Sequence, residues 1–207
     1  MILIRMIYLL ITTSLVERNF EERKRRYLNG ITTALRRFKE VANCKIIILE
    51  NNGSRSTFLD DFGMDVFYTN NNQIPTNIGN KELIDLRQCI KHYKIQDEDF
   101  IIKLSGRYII QEQSEFMDAL QLYRDTKDTI LMYGYFYGPQ YKRVRDCVTG
   151  LIGMKCKHIK RIQPVEFNGC IEWHWADVAL SIPAEQEHKV RTLGIAVCPG
   201  LDAYTVI

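Results

Sequence analysis

The chain has 207 residues, of which 46% are hydrophobic and 26% charged, and its net charge is +3. That is enough chain for one large domain or two small ones, with a well-buried core. The charge is too small and too evenly mixed for a phosphate-tracking stripe, so a nucleic-acid partner is not expected.

The N-terminal run MILIRMIYLLITTSL is apolar, but Arg5 interrupts it and it is too short to span a bilayer. It also lacks a good cleavage region. It is expected to form the first buried strand, over about 6–14, and to be neither a targeting nor a transmembrane segment. Residues about 17–42 place Phe20, Tyr27, Leu28, Ile31, Leu35, Phe38 and Val41 on one face, which predicts a helix. Its basic run ERKRRYLNG reads as a solvated face. CKIIILE is a second buried strand and NNGS a loop. STFLDDFG predicts a short helix, with Ser56 as N-cap and Gly63 near its end. DVFYT is a third strand. After the polar loop NNNQIPTNIG, Leu83, Leu86, Ile90 and Tyr93 share one face of a helix over about 80–94. DFIIKL is a fourth strand.

The second half is less regular. A helix near 114–123, a strand in TILMYGY, a strand in DCVTGLIGMK, a helix in IEWHWADVALSI and a last strand in TLGIAVCPG are expected. There is no linker-like tract and no repeat, so one domain is expected. Continuous apolar strands alternating with amphipathic helices mean an α/β fold, with a mostly parallel sheet covered on both faces. Ligands in such folds sit beyond the carboxyl ends of the strands. Those ends read TTS, ENNG, YTNNN and LSGRY, all polar and rich in small residues, Asn or Gly.

The six cysteines, Cys44, Cys89, Cys147, Cys156, Cys170 and Cys198, form no C-x-x-C pair. Neither a disulfide framework nor a zinc site is expected, and reduced, mostly buried thiols suit a cytoplasmic protein. His92, His158 and His188 have no metal-ligand spacing and are expected at the surface.

The first strand is followed by no glycine fingerprint, and there is no P-loop, which argues against a nicotinamide enzyme and a P-loop NTPase. Thr12, Thr13 and Ser14 can hydrogen-bond a nucleobase or ribose, or can simply cap the next helix. The segment FIIKLSGRY raises a sharper question, because a buried lysine needs a partner. Lys103 and Arg107 can meet an anionic ligand, Arg offering a planar fork that matches phosphate oxygens. Gly106, after Ser105, lets the backbone turn or lets a ligand approach. The plainer reading is an edge-strand lysine and a turn arginine in a surface salt bridge. Asn51 and Asn77 sit in turn chemistry at strand ends, where they can also line a pocket. IEWHWADVAL carries Glu172, His174 and Asp177 between aromatics, which suits a general base near a sugar. Glu172 and Asp177, five apart on a helix, face different ways, so at most one enters a site. The plainer reading there is an amphipathic helix with Trp173 in the core.

Taken in order, these pieces resemble the nucleotide-sugar glycosyltransferases of the GT-A fold, particularly the family 2-like group. The resemblance runs through LLITTSL, IIILENNGS, NIGNKELIDL and the later IEW, over about residues 6–180. K-L-S/T-G-R-Y is similar to a segment of small viral and bacterial members of that group. The resemblance implies a GT-A-like, single Rossmann-like domain with a mostly parallel mixed sheet flanked by helices. Residues 1–110 would form the nucleotide-binding half and 111–207 the acceptor half.

It further implies transfer of a sugar from a UDP- or GDP-linked donor to a glycan or glycoprotein acceptor. Thr12, Thr13, Ser14, Asn51, Asn77, Lys103, Ser105, Gly106, Arg107 and His174 would bind substrate. Glu172 would be the base, with Asp177 as second choice. A viral source would place the protein in the host cytoplasm. Family members bind Mn²⁺ or Mg²⁺ through Asp-x-Asp at the end of the fourth strand. This sequence has no acid there, so Lys103 and Arg107 are expected to neutralise the diphosphate instead. Asp97, Glu98 and Asp99 precede the strand and lie at its wrong end.

Overall fold

Strands that are apolar without alternation must be covered on both faces. The computed structural model, described over residues 5–134, 146–197 and 205–207, shows how this is done. β1 (Ile7–Thr13), β2 (Cys44–Glu50), β3 (Asp65–Tyr68) and β4 (Phe100–Ser105) lie parallel in the order β3-β2-β1-β4. The sheet continues beyond β4 through β7 (Leu151–Lys155), β6 (Thr129–Leu131) and β8 (Glu187–Lys189). β7 runs antiparallel to both β4 and β6, and β8 is parallel to β6, which completes a mostly parallel sheet of seven strands.

Helix α1 (Phe20–Phe38) and helix α3 (Glu115–Tyr123) cover one face. There Tyr27, Ile31, Ala34 and Phe38 join Phe116 and Leu120 against Leu9, Ile11, Ile102 and Leu104. Helix α2 (Ile78–His92) and helix α5 (Ile171–Leu180) cover the other, where Leu83, Leu86, Cys89, Trp175 and Ala176 pack on Leu10, Ile47, Leu49 and Ile101. Each large apolar side chain buried this way contributes about 1.5–3 kcal/mol. Alternation along β4 turns Phe100, Ile102 and Leu104 towards α1 and α3, and leaves Lys103 with Ile101 on the α2 face. A short helix, α4 (Cys156–Ile159), follows β7. A small antiparallel sheet of β5 (Ile109–Ile110), β9 (Ile195–Val197) and β10 (Thr205–Val206) closes the α1 side.

Several local expectations change. Residues 60–62 form a 3-10 turn, not a helix capped by Ser56. Asp60 supplies the capping carboxylate, accepting the Thr57 N–H at 2.7 Å, while Gly63 ends the turn at φ 67° as expected. Trp175, and not Trp173, is the buried tryptophan of α5. His158 is not at the surface: it is 7% exposed, and its Nε2 lies 2.8 Å from the Asp128 carboxylate. His92 is exposed, and His188 is half-buried against the Tyr123 ring. Cys89, Cys147 and Cys156 are buried, and with Cys44 and Cys170 they are free thiols. Cys198 and the end of TILMYGY lie outside the described residues. Among the described residues, no helix is long and apolar enough to cross a membrane.

At the amino end of β4, Asp97 pairs with Lys160, and Glu98 with Lys155 and Lys157. Asp99 accepts backbone N–H groups of Met6 and Gln96. These acids hold the amino ends of the sheet, opposite the carboxyl ends of the strands.

Candidate active site

The carboxyl ends of β1, β2 and β4 meet the start of α2, the turn before β7 and the start of α5. Lys103 is 3% exposed and sits in the middle of the sheet, not at an edge. Its Nζ lies 2.8 Å from Glu82 Oε2 on α2 and donates to the Thr149 carbonyl at 2.8 Å. The other Glu82 oxygen accepts Thr12 Oγ1–H at 3.2 Å. Thr149 in turn donates its hydroxyl to Glu172 Oε1 at 3.3 Å, and the Cys170 thiol donates to Glu172 Oε2 at 3.0 Å. Thr12, Glu82, Lys103, Thr149 and Glu172 thus form one connected network, drawn from β1, α2, β4, the turn before β7 and α5.

Burial alone would raise the Glu82 carboxyl, but the charge and hydrogen bond of Lys103, the Thr12 hydroxyl and the charge of Arg107 hold it below its ordinary value. Glu82 is therefore ionised. Burial pushes the Cys170 thiol up to about 12 and the Cys147 thiol well above its ordinary value. Both stay protonated. Cys147 donates to the Glu172 carbonyl at 3.4 Å, so Glu172 is held at its backbone and at both carboxylate oxygens.

Arg107 follows β4 directly and is half-buried. Among the described residues its guanidinium has no hydrogen bond and no ion pair, although its charge acts on Glu82 and Tyr27. The backbone beneath it is tightly fitted. A Cβ at Gly106 would lie 3.0 Å from Ile11 Cγ2 and 3.2 Å from the Thr12 carbonyl. Gly106 therefore admits β1, a packing role within the chain. Ser105 is buried, donates its N–H to the Gly150 carbonyl and accepts the Tyr108 N–H.

The remaining expected site residues are engaged elsewhere. Thr13 donates to Glu50 Oε2 at 2.7 Å. Glu50 is fully buried and also accepts the N–H groups of Leu15 and Asn52. Ser14 accepts the Asn52 side-chain amide, and its N–H meets the Tyr27 hydroxyl. Asn51 is buried and donates to Asp85, which also receives Thr69 and Asn71. Asn77 caps α2 by accepting the Gly79 N–H, and its amide donates to the Phe167 and Gly169 carbonyls. It clamps the 165–170 loop to α2, as Asn80 does through both atoms of Val165. His174 Nδ1 lies 2.6 Å from the Gln163 carbonyl. Asp177 is exposed, about 140° round α5 and 7.5 Å along it from Glu172, so the two carboxylates do not converge.

Glu82, Thr149 and Glu50 were not read from the sequence. Glu82 looks like one more acid on the polar face of an amphipathic helix. Only the buried Lys103, which required a partner, signalled that such an acid had to exist.

Solved structures share this architecture. A structure from Desulfovibrio desulfuricans G20, assigned as a nucleotide-diphospho-sugar transferase, superposes over 90% of this chain and 80% of its own, with a TM-score of 0.50 at 8% identity. The mannosyltransferase PcManGT from Pyrobaculum calidifontis, solved with GDP-Man and Mn²⁺, superposes over 92% of this chain, with a TM-score of 0.57 at 8% identity. The fold is GT-A-like. The chain spans 58% of that mannosyltransferase and 32% of the TarS structure from S. aureus, which it matches with a TM-score of 0.50 at 11% identity. No protein-family model matches the sequence, and no curated protein matches it.

That mannosyltransferase was solved with Mn²⁺, an ion that takes carboxylate oxygen ligands. Among the described residues, no three of His, Cys, Asp or Glu converge where they could hold a metal ion. The end of β4 offers Ser105, Gly106 and Arg107, and the carboxylate that reaches it, Glu82, is already paired with Lys103. These residues do not fit a divalent cation.

Proposed function

We propose that this chain is a glycosyltransferase that moves a sugar from a UDP- or GDP-linked donor to a hydroxyl of a glycan or glycoprotein. The observation that carries the reading is the network from Thr12 to Glu172 at the carboxyl ends of the strands, with Arg107 beside it, which has no hydrogen bond or ion pair among the described residues. A GT-A-like fold supports a nucleotide-sugar donor at those ends, since ligands of open α/β sheets sit beyond the carboxyl ends of the strands.

In this reading residues 1–110 form the donor half and 111–207 the acceptor half. Arg107 meets the diphosphate, and Lys103 adds a fixed positive charge behind Glu82. Arg107 neutralises the charge that develops on the leaving group without a metal ion, while Lys103 offsets the Glu82 carboxylate beside it. Glu172, held by Thr149 and Cys170, takes the proton of the acceptor hydroxyl. The acceptor oxygen bonds to the anomeric carbon as the bond from that carbon to the phosphate oxygen breaks. The nucleoside diphosphate leaves, and the configuration inverts.

A thermal-shift panel of UDP, GDP, CDP and dTDP, each with Mn²⁺ and with EDTA, tests the donor. A ligand at about 100 times its Kd adds about 2.7 kcal/mol of stability. A shift with one nucleotide that survives EDTA is expected, and no shift with any of them would overturn the reading. Glu172→Gln should abolish transfer and spare nucleotide binding, whereas retained turnover would remove Glu172 from its role. One observation favours a second reading, a non-catalytic sugar-nucleotide-binding relative. Lys103 already has a counter-ion in Glu82, which leaves Arg107 as the cation open to the donor among the described residues of this network. Donor hydrolysis measured in EDTA separates the two.

A further inference from the structure

The group that β4 and α2 jointly present to the site is a carboxylate. Lys103 is 3% exposed, whereas the Glu82 side chain above it is 31% exposed. Burial also desolvates the Glu82 carboxylate. It is fixed from three sides. Lys103 holds one oxygen, the Thr12 hydroxyl holds the other, and the charge of Arg107 acts from the end of β4. An ionised carboxylate is an acceptor only, with about four lone-pair sites. The two protein bonds leave acceptor capacity on both oxygens.

Even paired with Lys103, a carboxylate beside Arg107 does not attract a diphosphate, so the acceptor capacity it has left suits a different partner. A divalent cation is disfavoured by two positive charges next to it. Hydroxyl groups remain. They donate to a carboxylate without bringing charge, and a nucleotide sugar carries hydroxyls on both sides of its diphosphate. We propose that Glu82 is the donor-site carboxylate that accepts hydroxyl hydrogens of the nucleotide sugar, with Lys103 as its buried counter-ion. The inference rests on the glycosyltransferase reading. It makes Glu82 a specificity residue that distinguishes a sugar nucleotide from other diphosphates. The hydroxyls are those of the ribose or those of the transferred sugar, and the test separates these sources.

The test measures Kd by titration calorimetry in EDTA for wild type and Glu82→Gln. The ligands are UDP and GDP, their 2′,3′-dideoxy forms, and UDP-glucose and GDP-mannose. If the ribose is the source, wild type prefers the ribo over the dideoxy form by about tenfold or more, and Glu82→Gln removes that preference. If the sugar is the source, Glu82→Gln removes the preference for the sugar nucleotide over the bare diphosphate.

Wild-type preferences that persist unchanged in Glu82→Gln would overturn the inference and leave the glycosyltransferase reading standing. So would a uniform gain in affinity, which would mark Glu82 as merely repulsive. A repeat in Mn²⁺ that tightens binding only while Glu82 is present would overturn it in favour of a cation ligand. Wild type that binds none of these nucleotides would remove the underlying reading and the inference with it. Glu82→Gln leaves Lys103 buried without its counter-charge, so it is the variant most exposed to misfolding. The double variant Glu82→Gln, Lys103→Met removes both charges and supports the same ribo-versus-dideoxy comparison.

Discussion

Replacing Gly30 by alanine should destabilise the protein, although the residue lies in the middle of α1. In an open helix this change stabilises by about 1 kcal/mol, because glycine is the poorer helix former. Here a Cβ would stand 2.2 Å from the Gly106 carbonyl oxygen and 2.9 Å from that of Tyr108. Both obstacles are backbone, so no side chain can swing aside. The helix or the 106–108 segment must move by about 1 Å to restore ordinary contact, and overpacking of this kind costs about 1–3 kcal/mol. With rigid backbone on both sides the upper figure applies, which leaves a net loss of about 2 kcal/mol. For a chain of this size that lowers Tm by about 4–8 °C. Thermal unfolding followed by circular dichroism, with urea unfolding for the free energy, measures it. A Tm equal to or above wild type would refute the close approach of α1 to the end of β4. Nucleotide affinity should fall in the same variant, because the displaced segment carries Arg107.

Arg107→Ala should leave the stability of the free protein within about 0.5 kcal/mol, since its guanidinium has no hydrogen bond or ion pair among the described residues. It should still weaken nucleoside-diphosphate binding by about 2 kcal/mol, or roughly thirtyfold, by calorimetry. A large loss of stability would show a structural arginine instead. Asn77→Ala removes the α2 cap and both bonds to the 167–169 loop, and should cost about 1–2 kcal/mol. Limited proteolysis should then cut that loop faster, and an unchanged cleavage rate would deny the clamp.

Asp128 is 3% exposed and lies within 3 Å of Lys155, Lys157 and His158. Burial alone would raise its carboxyl, but hydrogen bonds from those three groups hold it well below the usual carboxylate range. Its contribution is fully present above about pH 4 and is lost as the pH falls through the lowered value. Asp128→Asn should therefore cost about 3 kcal/mol at pH 7, and the gap to wild type should narrow in acid. Urea unfolding at both pH values tests this, and a gap independent of pH would count against it.

Much of the sheet could be read from the chain because both of its faces are covered. Ile47, Ile48 and Leu49, or Phe100, Ile101 and Ile102, are runs that only a buried strand accommodates. The helices were equally plain where one face is apolar, as in α1 and α2. The short strands β5, β8 and β10 left no such trace, because two or three residues carry no period, whereas β9 lies within the last strand read in TLGIAVCPG. Ser56 looked like a cap because its type suits one, but Asp60 reaches back to Thr57 instead. In the candidate site the sequence exposed the residues that break a pattern: Lys103 inside a strand, and Glu172 at the head of an aromatic helix. It hid the ones that obey one. Glu82 and Asp85 sit where any amphipathic helix carries acids, and only the tertiary approach of α2 to β1, β2 and β4 gives them partners. His158 was misplaced for the same reason, since its partner Asp128 is thirty positions away.

The clamp at the start of α2 also sets an order of events during synthesis. β1 to β4 and their helices are complete once residue 105 has left the ribosome. The groups that finish the site come much later: Thr149 to receive Lys103, the 165–169 loop to receive Asn77 and Asn80, and Glu172 just beyond them. Ile171 then seats against Gly79, where a Cβ would lie 2.3 Å from it. A nascent chain can thus hold a nearly finished parallel sheet for the time taken to translate some sixty more residues, while Lys103 still lacks its Thr149 acceptor. The Thr12–Glu172 network becomes continuous only when that late segment docks.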